Sequence, residues 1–554
     1  MKKDDSVLKL DYNDEFLLDS VENRARSGDY IGALTLLNKR NGKYPPSADA
    51  QALAADIYEE MGVYQLAADA WFRFLDVCNE ADFSEGYEGL AVAFMNMGNE
   101  LHSTLYYHRY CTEEGAEGAE IEALFRSEAH SAPHLKVVYS SEGEAPEILA
   151  EGLALLKSGE LEAAKRSLSA IAEGNEDYPT AVGLSAMCSL MLGDEDGARQ
   201  TCRDLLERYP DNVQALTTYC AVLGAQDDKQ GAQEIAKRLS GLEVDATDDL
   251  YRIATALCET GLDEEAFAKL SVLKERIPND DNVLYFLAVS AYRTGRLAEA
   301  IEALERLTTL FPRKAVAAYY LERMRLFRDG NGEAFPMTYF YRVPEEEYNN
   351  VAGFLLAAEA AEADAQVRDI GELPRLREIF EIAFDEMEGR DEKLQMLAAK
   401  VAVKLRHDSF VRSVLLDYEG DDVVKIHILH ELVMRNEDDS FGTVVCNLYK
   451  EFFTHKIEIG ARKETEFLNA FADVYSKFAL LGEENEHKIC AAAEDVYATL
   501  EEYEAWDCFD ERASVAAAIY RESRIAKGER SFEKIVELFG ANKRKTQEIL
   551  NYLI

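Results

Sequence analysis

The chain has 554 residues, 47% of them hydrophobic, with 105 acidic and 60 basic side chains and a formal net charge of −45. That apolar content excludes general disorder, and the length exceeds one compact domain, so several domains or a long repeat array are expected. The charge disfavours phosphate backbones and anionic membrane surfaces as partners of the whole molecule, and only 11 prolines in a chain this long favour helices.

The opening stretch, MKKDDSVLKLDYNDEF, has two lysines but no apolar run after them, so it is read as neither a signal peptide nor an anchor. No window approaches ~18 uncharged apolar residues, and no membrane segment is expected. The nine cysteines are scattered without a C-x-x-C pair. Cys202, Cys220 and Cys258 sit inside helical patterns, and the set reads as buried, reduced thiols of a cytoplasmic protein.

Next comes a repeat of 34 residues. In YRTGRLAEAIEALERLTTLFP, Gly295 is followed by Ala300, Leu304, Leu307 and Pro312; in CETGLDEEAFAKLSVLKERIP, Gly261 is followed by Ala266, Leu270, Leu273 and Pro278. The template also fits Gly193, Ala198, Cys202, Leu205 and Pro210, and Gly159, Ala164, Leu168 and Ile171. Upstream, Gly28 with Ala33 and Gly62 with Ala67 keep the step of 34, and Gly98, with Ser103 as the small residue, follows after 36. A sixth unit is degenerate, with Asp227 at the glycine place, yet Ala232 and Leu239 hold its register. The physical need is a turn after helix A, a small residue where helix B crosses it, and apolar residues at spacing 3–4 toward the core.

Eight such units resemble the tetratricopeptide repeat family over about residues 10–313. The resemblance implies an all-α fold: a right-handed superhelix of helical hairpins, followed here by an all-α C-terminal domain. Between Gly98 and Gly159 the spacing is 61 residues, so the array is divided into a block of three repeats (1–114), an acidic Gly/Glu-rich break (115–145) and a block of five (146–313). In this family the A helices line a groove that binds peptides or partner helices. The A-helix residues outside the core pattern are Tyr251, Tyr285, Tyr292 and Arg293 in the last two units and Met187 and Met191 in the fifth. These are the candidate partner-binding residues, the alternative being that they pack against the next unit. The first two units offer Glu15, Glu22, Asp49, Asp56, Glu59 and Glu60 on comparable faces, which points to a basic or mixed-charge partner.

After Pro312 the period is lost, and residues 314–350, rich in turn formers and aromatics (Phe335, Tyr339, Phe340, Tyr341), read as a linker docked on a domain. Residues 351–554 read as all-α, with helices at about 345–363, 372–388, 392–405, 422–435, 441–456, 463–481, 485–503, 511–526 and 531–553. No phosphate loop, H-E-x-x-H or nucleophile elbow is present, so no catalytic site and no cofactor are expected. His427 and His430 share a helix face with Glu431 nearby, but a zinc site needs a further ligand, from His407 or His455, and no metal is expected.

Residues 510–554 hold nine Lys/Arg and seven Asp/Glu, a net of +2 against −47 for the rest. Within them SFEKIVELFG ends at Gly540, Asn542 is placed as an N-cap, and KRKTQEILNYL begins a second helix. With the preceding Ala-rich helix, 513–553 resembles the end of a cyclin-type repeat as in transcription initiation factor B. That resemblance implies a helix-turn-helix whose nucleic-acid contacts would be Lys543, Arg544, Lys545, Thr546 and Gln547. The leading expectation is a non-enzymatic interaction scaffold binding a partner segment in the repeat groove; the alternative is a repeat-containing regulator that touches DNA through this hairpin.

Overall fold

The computed structural model describes residues 13–113, 145–157, 159–175, 177–361, 370–371, 373–385, 392–435, 439–445, 447–454, 467, 470–471, 473–475, 483–503, 505, 508, 511–525 and 532–553. The acidic break, the N-terminal stretch to residue 12, His455 and most of the helix expected at 463–481 lie outside the described residues. The chain divides into two compact units, one joining residues up to 135 to residues from 343 on, the other spanning 136–342.

In the first unit, three helical hairpins follow the repeat: α1 (Asp14–Arg26) and α2 (Tyr30–Asn41), α3 (Ala48–Glu60) and α4 (Tyr64–Val77), α5 (Phe83–Asn96) and α6 (Glu100–Glu113). In the second, five more follow: α7 (Ala145–Lys157) and α8 (Leu161–Leu168), α9 (Tyr178–Met191) and α10 (Glu195–Arg208), α11 (Val213–Ala225) and α12 (Lys229–Ser240), α13 (Thr247–Glu259) and α14 (Asp263–Arg276), α15 (Asp281–Arg293) and α16 (Leu297–Leu310). The template residues act as the spacing requires. Ala33, Ala67, Ala164, Ala198, Ala266 and Ala300 are fully buried where the helices cross. Ser103, in the same place, donates its hydroxyl to Ala91 O at 2.8 Å, which satisfies the one polar atom the substitution adds. The turn position is left-handed in every unit, from Gly62 (φ 70°) to Gly193 (φ 83°), and Asp227 adopts the same conformation (φ 57°) in the degenerate sixth unit. The glycine is therefore favoured by sterics but not indispensable; Asp is among the residues that tolerate this region.

The register runs one helix further than the sequence pattern. Residues 314–350, expected as a linker, contain α17 (Ala315–Arg328), which ends at Gly330 with φ 73°. This helix stands where a ninth A helix would. Its core positions, Val316, Tyr320 and Met324, are as buried as those of the full repeats, but no B helix follows, so the period is lost from the sequence although the stack goes on.

The C-terminal part of the first unit holds α18 (Glu345–Ala360), α19 (Leu376–Asp385), α20 (Glu392–Lys404), α21 (Asp408–Leu415) and α22 (Asp422–Met434). The helix expected at 441–456 is instead an antiparallel hairpin of β1 (Ser440–Val445) and β2 (Leu448–Phe453), with Val445 paired to Leu448 and Asn447 at φ 61° just before β2. Its β-branched and aromatic residues (Phe441, Thr443, Val444, Val445, Tyr449, Phe452) favour a strand, and Asn at the turn supplies the positive φ. The hairpin is held by the first repeat block. Gly442 N donates to Asp76 Oδ1 (3.1 Å), Tyr106 Oη to Asn447 O (2.5 Å) and Tyr449 Oη to Leu75 O (3.2 Å). Residues 483–553 build α23 (Glu483–Glu502), α24 (Arg512–Ser523), α25 (Phe532–Phe539) and α26 (Lys543–Tyr552) around Val496, Leu500, Ile519, Ile549 and Leu550.

Candidate peptide-binding groove

The second unit's last A helices carry the predicted groove residues. Asp280 caps α15 by accepting from Val283 N (2.8 Å), and Arg306 braces the preceding loop through Pro278 O (2.9 Å) and Asn279 (2.8 Å). The helix so fixed places Tyr285, Tyr292 and Arg293 on its A face, seven and eight residues apart, two turns along one side.

That face is occupied by the chain itself. Residues 335–341 run across it without regular secondary structure, with Met337 and Tyr341 buried, Phe335 and Tyr339 half-buried, and Pro336 and Phe340 exposed. Thr338 is half-buried too; Phe335, Met337, Tyr339 and Tyr341 turn inward as alternate side chains of an extended chain do, and the run bends at Tyr339 and Phe340, where Arg342 N donates to Phe340 O (3.0 Å). Tyr285 Oη donates to Thr338 O (3.0 Å) and lies 3.3 Å from Phe340 O, Arg293 Nε donates to Met337 O (3.0 Å), and Tyr292 Oη accepts from Phe335 N (3.1 Å). The Tyr285 and Tyr341 rings meet edge to face at 4.8 Å, Tyr292 stacks on Phe335 at 4.9 Å, and the Arg293 guanidinium lies 5.0 Å from the Tyr339 ring centroid. At the far end Tyr339 Oη donates to Asp263 Oδ1 (2.7 Å), while Tyr341 Oη accepts from Ala317 N (3.3 Å), one of the N–H groups that the start of α17 leaves without a helical partner. Burial pushes the Tyr339 phenol and the neighbouring Cys258 thiol upward, with Asp263 reinforcing both, so each keeps its proton at neutral pH.

The other expected groove residues divide. Tyr251, on α13, is half-buried and hydrogen-bonded to Asn282 of the next repeat, and burial raises its phenol to about 12. It packs between units. Met191 stands two residues before its turn glycine, the position Arg293 holds in the last repeat, and is 55% exposed; Met187, one turn earlier, is half-buried. Among the described residues Met191 is thus solvent-exposed on α9. The sequence reading expected the stretch 335–341 to dock on a domain through its aromatics; what it missed is that the stretch lies on the groove face itself, with Phe340 outward. Its signal was the spacing Phe335, Met337, Tyr339, Tyr341, obscured by Pro336 and by the aromatic but outward-facing Phe340.

In the first unit, Asp56, Glu59 and Glu85 are carboxyls whose proton affinity is raised, first by burial and then by acidic neighbours, Glu60 beside Asp56 and Asp56 itself beside Glu59 and Glu85. Glu59 also accepts from Trp71 Nε1 (2.9 Å).

At the C-terminus Asn542 caps α26 as expected, accepting from Arg544 N (3.0 Å) and Lys545 N (3.2 Å). Arg544 and Gln547 are exposed; Lys543 lies 5.9 Å from the Phe532 ring centroid and Lys545 3.6 Å from Glu548. Thr546 is fully buried beside Ile549 and Leu550, so it does not share the surface of the other four. His427 and His430 are both largely buried on α22, and among the described residues no three His, Cys, Asp or Glu side chains converge as metal ligands would. Among them, too, no helix is long and apolar enough to cross a membrane.

Two tetratricopeptide repeat family models match residues 155–220 and 251–315. Those two stretches are tetratricopeptide repeats, and the other hairpins share their left-handed turn positions. The chain is similar to the TPR repeat-containing protein YvcD of Bacillus subtilis (strain 168), at 23% identity over 291 residues; the match spans 50% of this chain and only 58% of that protein's length. Among solved structures it is similar to yeast Tom70 (14% identity, 76% of this chain and 91% of that one, TM-score 0.28). It is also similar to YrrB, described as a TPR protein with an unusual peptide-binding site (17% identity, 32% and 92%, TM-score 0.25). Overlaps this loose transfer no property to the present chain. Within the tetratricopeptide array, the A-helix face of α13, α15 and α17 is the part whose geometry is spelled out by an occupant.

Proposed function

We propose that the chain is a non-enzymatic protein-interaction scaffold whose A-helix face, in the second tetratricopeptide block, holds a partner segment in extended form. The observation that carries this reading is the grip on residues 335–341: three groove side chains, Tyr285, Tyr292 and Arg293, bind main-chain atoms, and aromatic rings bind alternate side chains. Main-chain recognition of this kind gives affinity to any segment of the right shape, while the alternate side chains give selectivity. The exposed Met191, with the half-buried Met187 one turn before it, supplies adaptable apolar contact. The crowded carboxyls of the first block support a basic or mixed-charge partner, since a cation beside Asp56 or Glu85 relieves their mutual repulsion.

The test is affinity capture from the native cell with the full chain as bait, wild type against Met191→Glu combined with Met187→Gln. Capture of the wild-type partner set should drop at least ~10-fold, equivalent to about 1.4 kcal/mol, with the helical circular dichroism unchanged. An unaltered partner set from the folded variant would refute the assignment to this face.

A further inference from the structure

We infer that residues 335–341 are a resident ligand, a strap that occupies the last part of the groove in place of a partner segment with apolar or aromatic side chains at every second position. The inference rests on the scaffold reading above and gives that groove its ligand class and its regulation.

Three observations combine. First, the strap belongs to no helix or sheet, so its main-chain groups are held by Tyr285, Tyr292 and Arg293 rather than by a ladder. A foreign segment in the same register can make the same bonds, because they address the main chain and not the strap's own side chains. Second, the inward set is Phe335, Met337, Tyr339 and Tyr341, which fixes the ligand chemistry: a ring on Tyr292, an unbranched apolar side chain, a phenol able to reach Asp263, and a second ring against Tyr285. Third, the connection before the strap, residues 328–334, is exposed throughout and contains Gly330 and Gly332. Release of the strap therefore demands no unwinding of α17, whose end is already closed by Asn331 N donating to Leu326 O (2.9 Å). A segment with an exposed connection and little regular structure opens at lower cost than the packed repeats; after the strap Val343 is buried and Tyr320 Oη donates to Arg342 O (3.0 Å), so opening would hinge on the Gly330–Gly332 side.

A tether this short keeps the strap at an effective concentration on the order of millimolar, so a free segment at micromolar concentration competes poorly until the strap is weakened or displaced. The wild-type chain is then the closed form of the groove and a strap-disabled chain the open form. The occupant expected in trans is a segment of another protein, with the alternation just described.

The experiment uses the full chain and a fluorescein-labelled synthetic peptide of residues 333–344, EAFPMTYFYRVP, read by anisotropy. The strap-disabled chain is Met337→Ser, Tyr339→Ser, Tyr341→Ser; should it fail to fold by circular dichroism, Tyr339→Ser alone replaces it. The disabled chain should bind the peptide saturably and at least ~10-fold more tightly than the wild type, as removal of an intramolecular competitor requires. A control peptide in which adjacent residues are exchanged pairwise, moving the inward set outward, should bind at least ~10-fold more weakly. A folded disabled chain that does not bind the peptide would make the strap an integral cap of the array and overturn the inference. That outcome would leave the capture experiment at Met187 and Met191 untouched, so the two readings fail separately. Wild-type dimers that dissociate when the strap is disabled would show the strap exchanged between copies and overturn the partner in trans.

Discussion

The two tetratricopeptide blocks share one repeat register, yet each holds a non-repeat piece of chain by a different surface. In the first, the B helices α4 and α6, with Phe83 and Phe94 of α5, hold the β-hairpin and Tyr418; in the second, the A helices hold the strap. The occupants differ as well. The hairpin satisfies most of its own main chain across a ladder, and Asp76 and Tyr106 of the repeats take up main-chain groups at Gly442, Asn447 and Tyr449. The strap has no ladder and leans on the groove for its main-chain bonds. A self-sufficient element docks as a domain part does, whereas a dependent one binds as a ligand does, and this difference is why we propose the interaction surface on the second block.

The comparison can be broken most forcefully at Tyr285. Its side chain is buried, meets Tyr341 and Tyr320, and bonds the strap main chain, so Tyr285→Ala should destabilise the second unit by ~3–5 kcal/mol, measured by urea unfolding. A loss below ~1 kcal/mol would mean that the strap is barely held.

The support beneath the hairpin is expected to weaken as pH falls. Helix α22 props β1 through the buried Lys425, whose ammonium donates to Val444 O at 2.7 Å, and the same helix carries His427. Burial, with His430 and Lys400 nearby, brings the His427 imidazole down to about 4, and Glu431 stands 4.0 Å away. A folded-state value below the unfolded ~6.5 means that the unfolded chain takes up the proton first. Stability from this group is therefore full above ~6.5 and falls as pH drops toward 4, by up to about 3 kcal/mol. In His427→Leu that slope should disappear, seen as a difference in urea midpoint between the two proteins that changes between pH 6.5 and 4. A difference constant over this window would contradict a neutral buried imidazole.

Gly442 is the next point of attack. A side-chain carbon there would overlap the Asp76 carboxylate that binds its own amide, so Gly442→Ala should cost ~1–3 kcal/mol of first-unit stability while leaving strap-peptide binding unchanged. Effects on both would show that the two occupants are coupled. The smallest effect is expected at Asp227, where Asp227→Gly removes the left-handed penalty and should raise the thermal midpoint, equivalent to at most ~1 kcal/mol. A fall would mean that Asp227 contributes more through its side chain than its backbone costs.

The repeats were legible because their cause is local. Glycine or aspartate at the turn, alanine at the crossing and leucine at spacing 3–4 each act within one hairpin, and the same residues recur at a fixed distance. The N-cap at Asn542 was legible for the same reason. The helix at Ala315–Arg328 was hidden because it lacks the B helix that would have completed the period. The strands at 440–453 read as helix because their apolar residues also fit a helical spacing, and only pairing across the Asn447 turn and docking on Asp76 and Tyr106 decide the matter.

The sequence alone thus determined the helical hairpins, their register and the residue types on the A face, Tyr285, Tyr292 and Arg293 among them. Only the tertiary structure decided what those residues touch. Phe335 meets Tyr292 across 43 residues of chain and Asp76 meets Gly442 across 366. Contacts over such separations leave no periodic trace, because their partners are brought together by the stacking of whole repeats and not by any spacing within one.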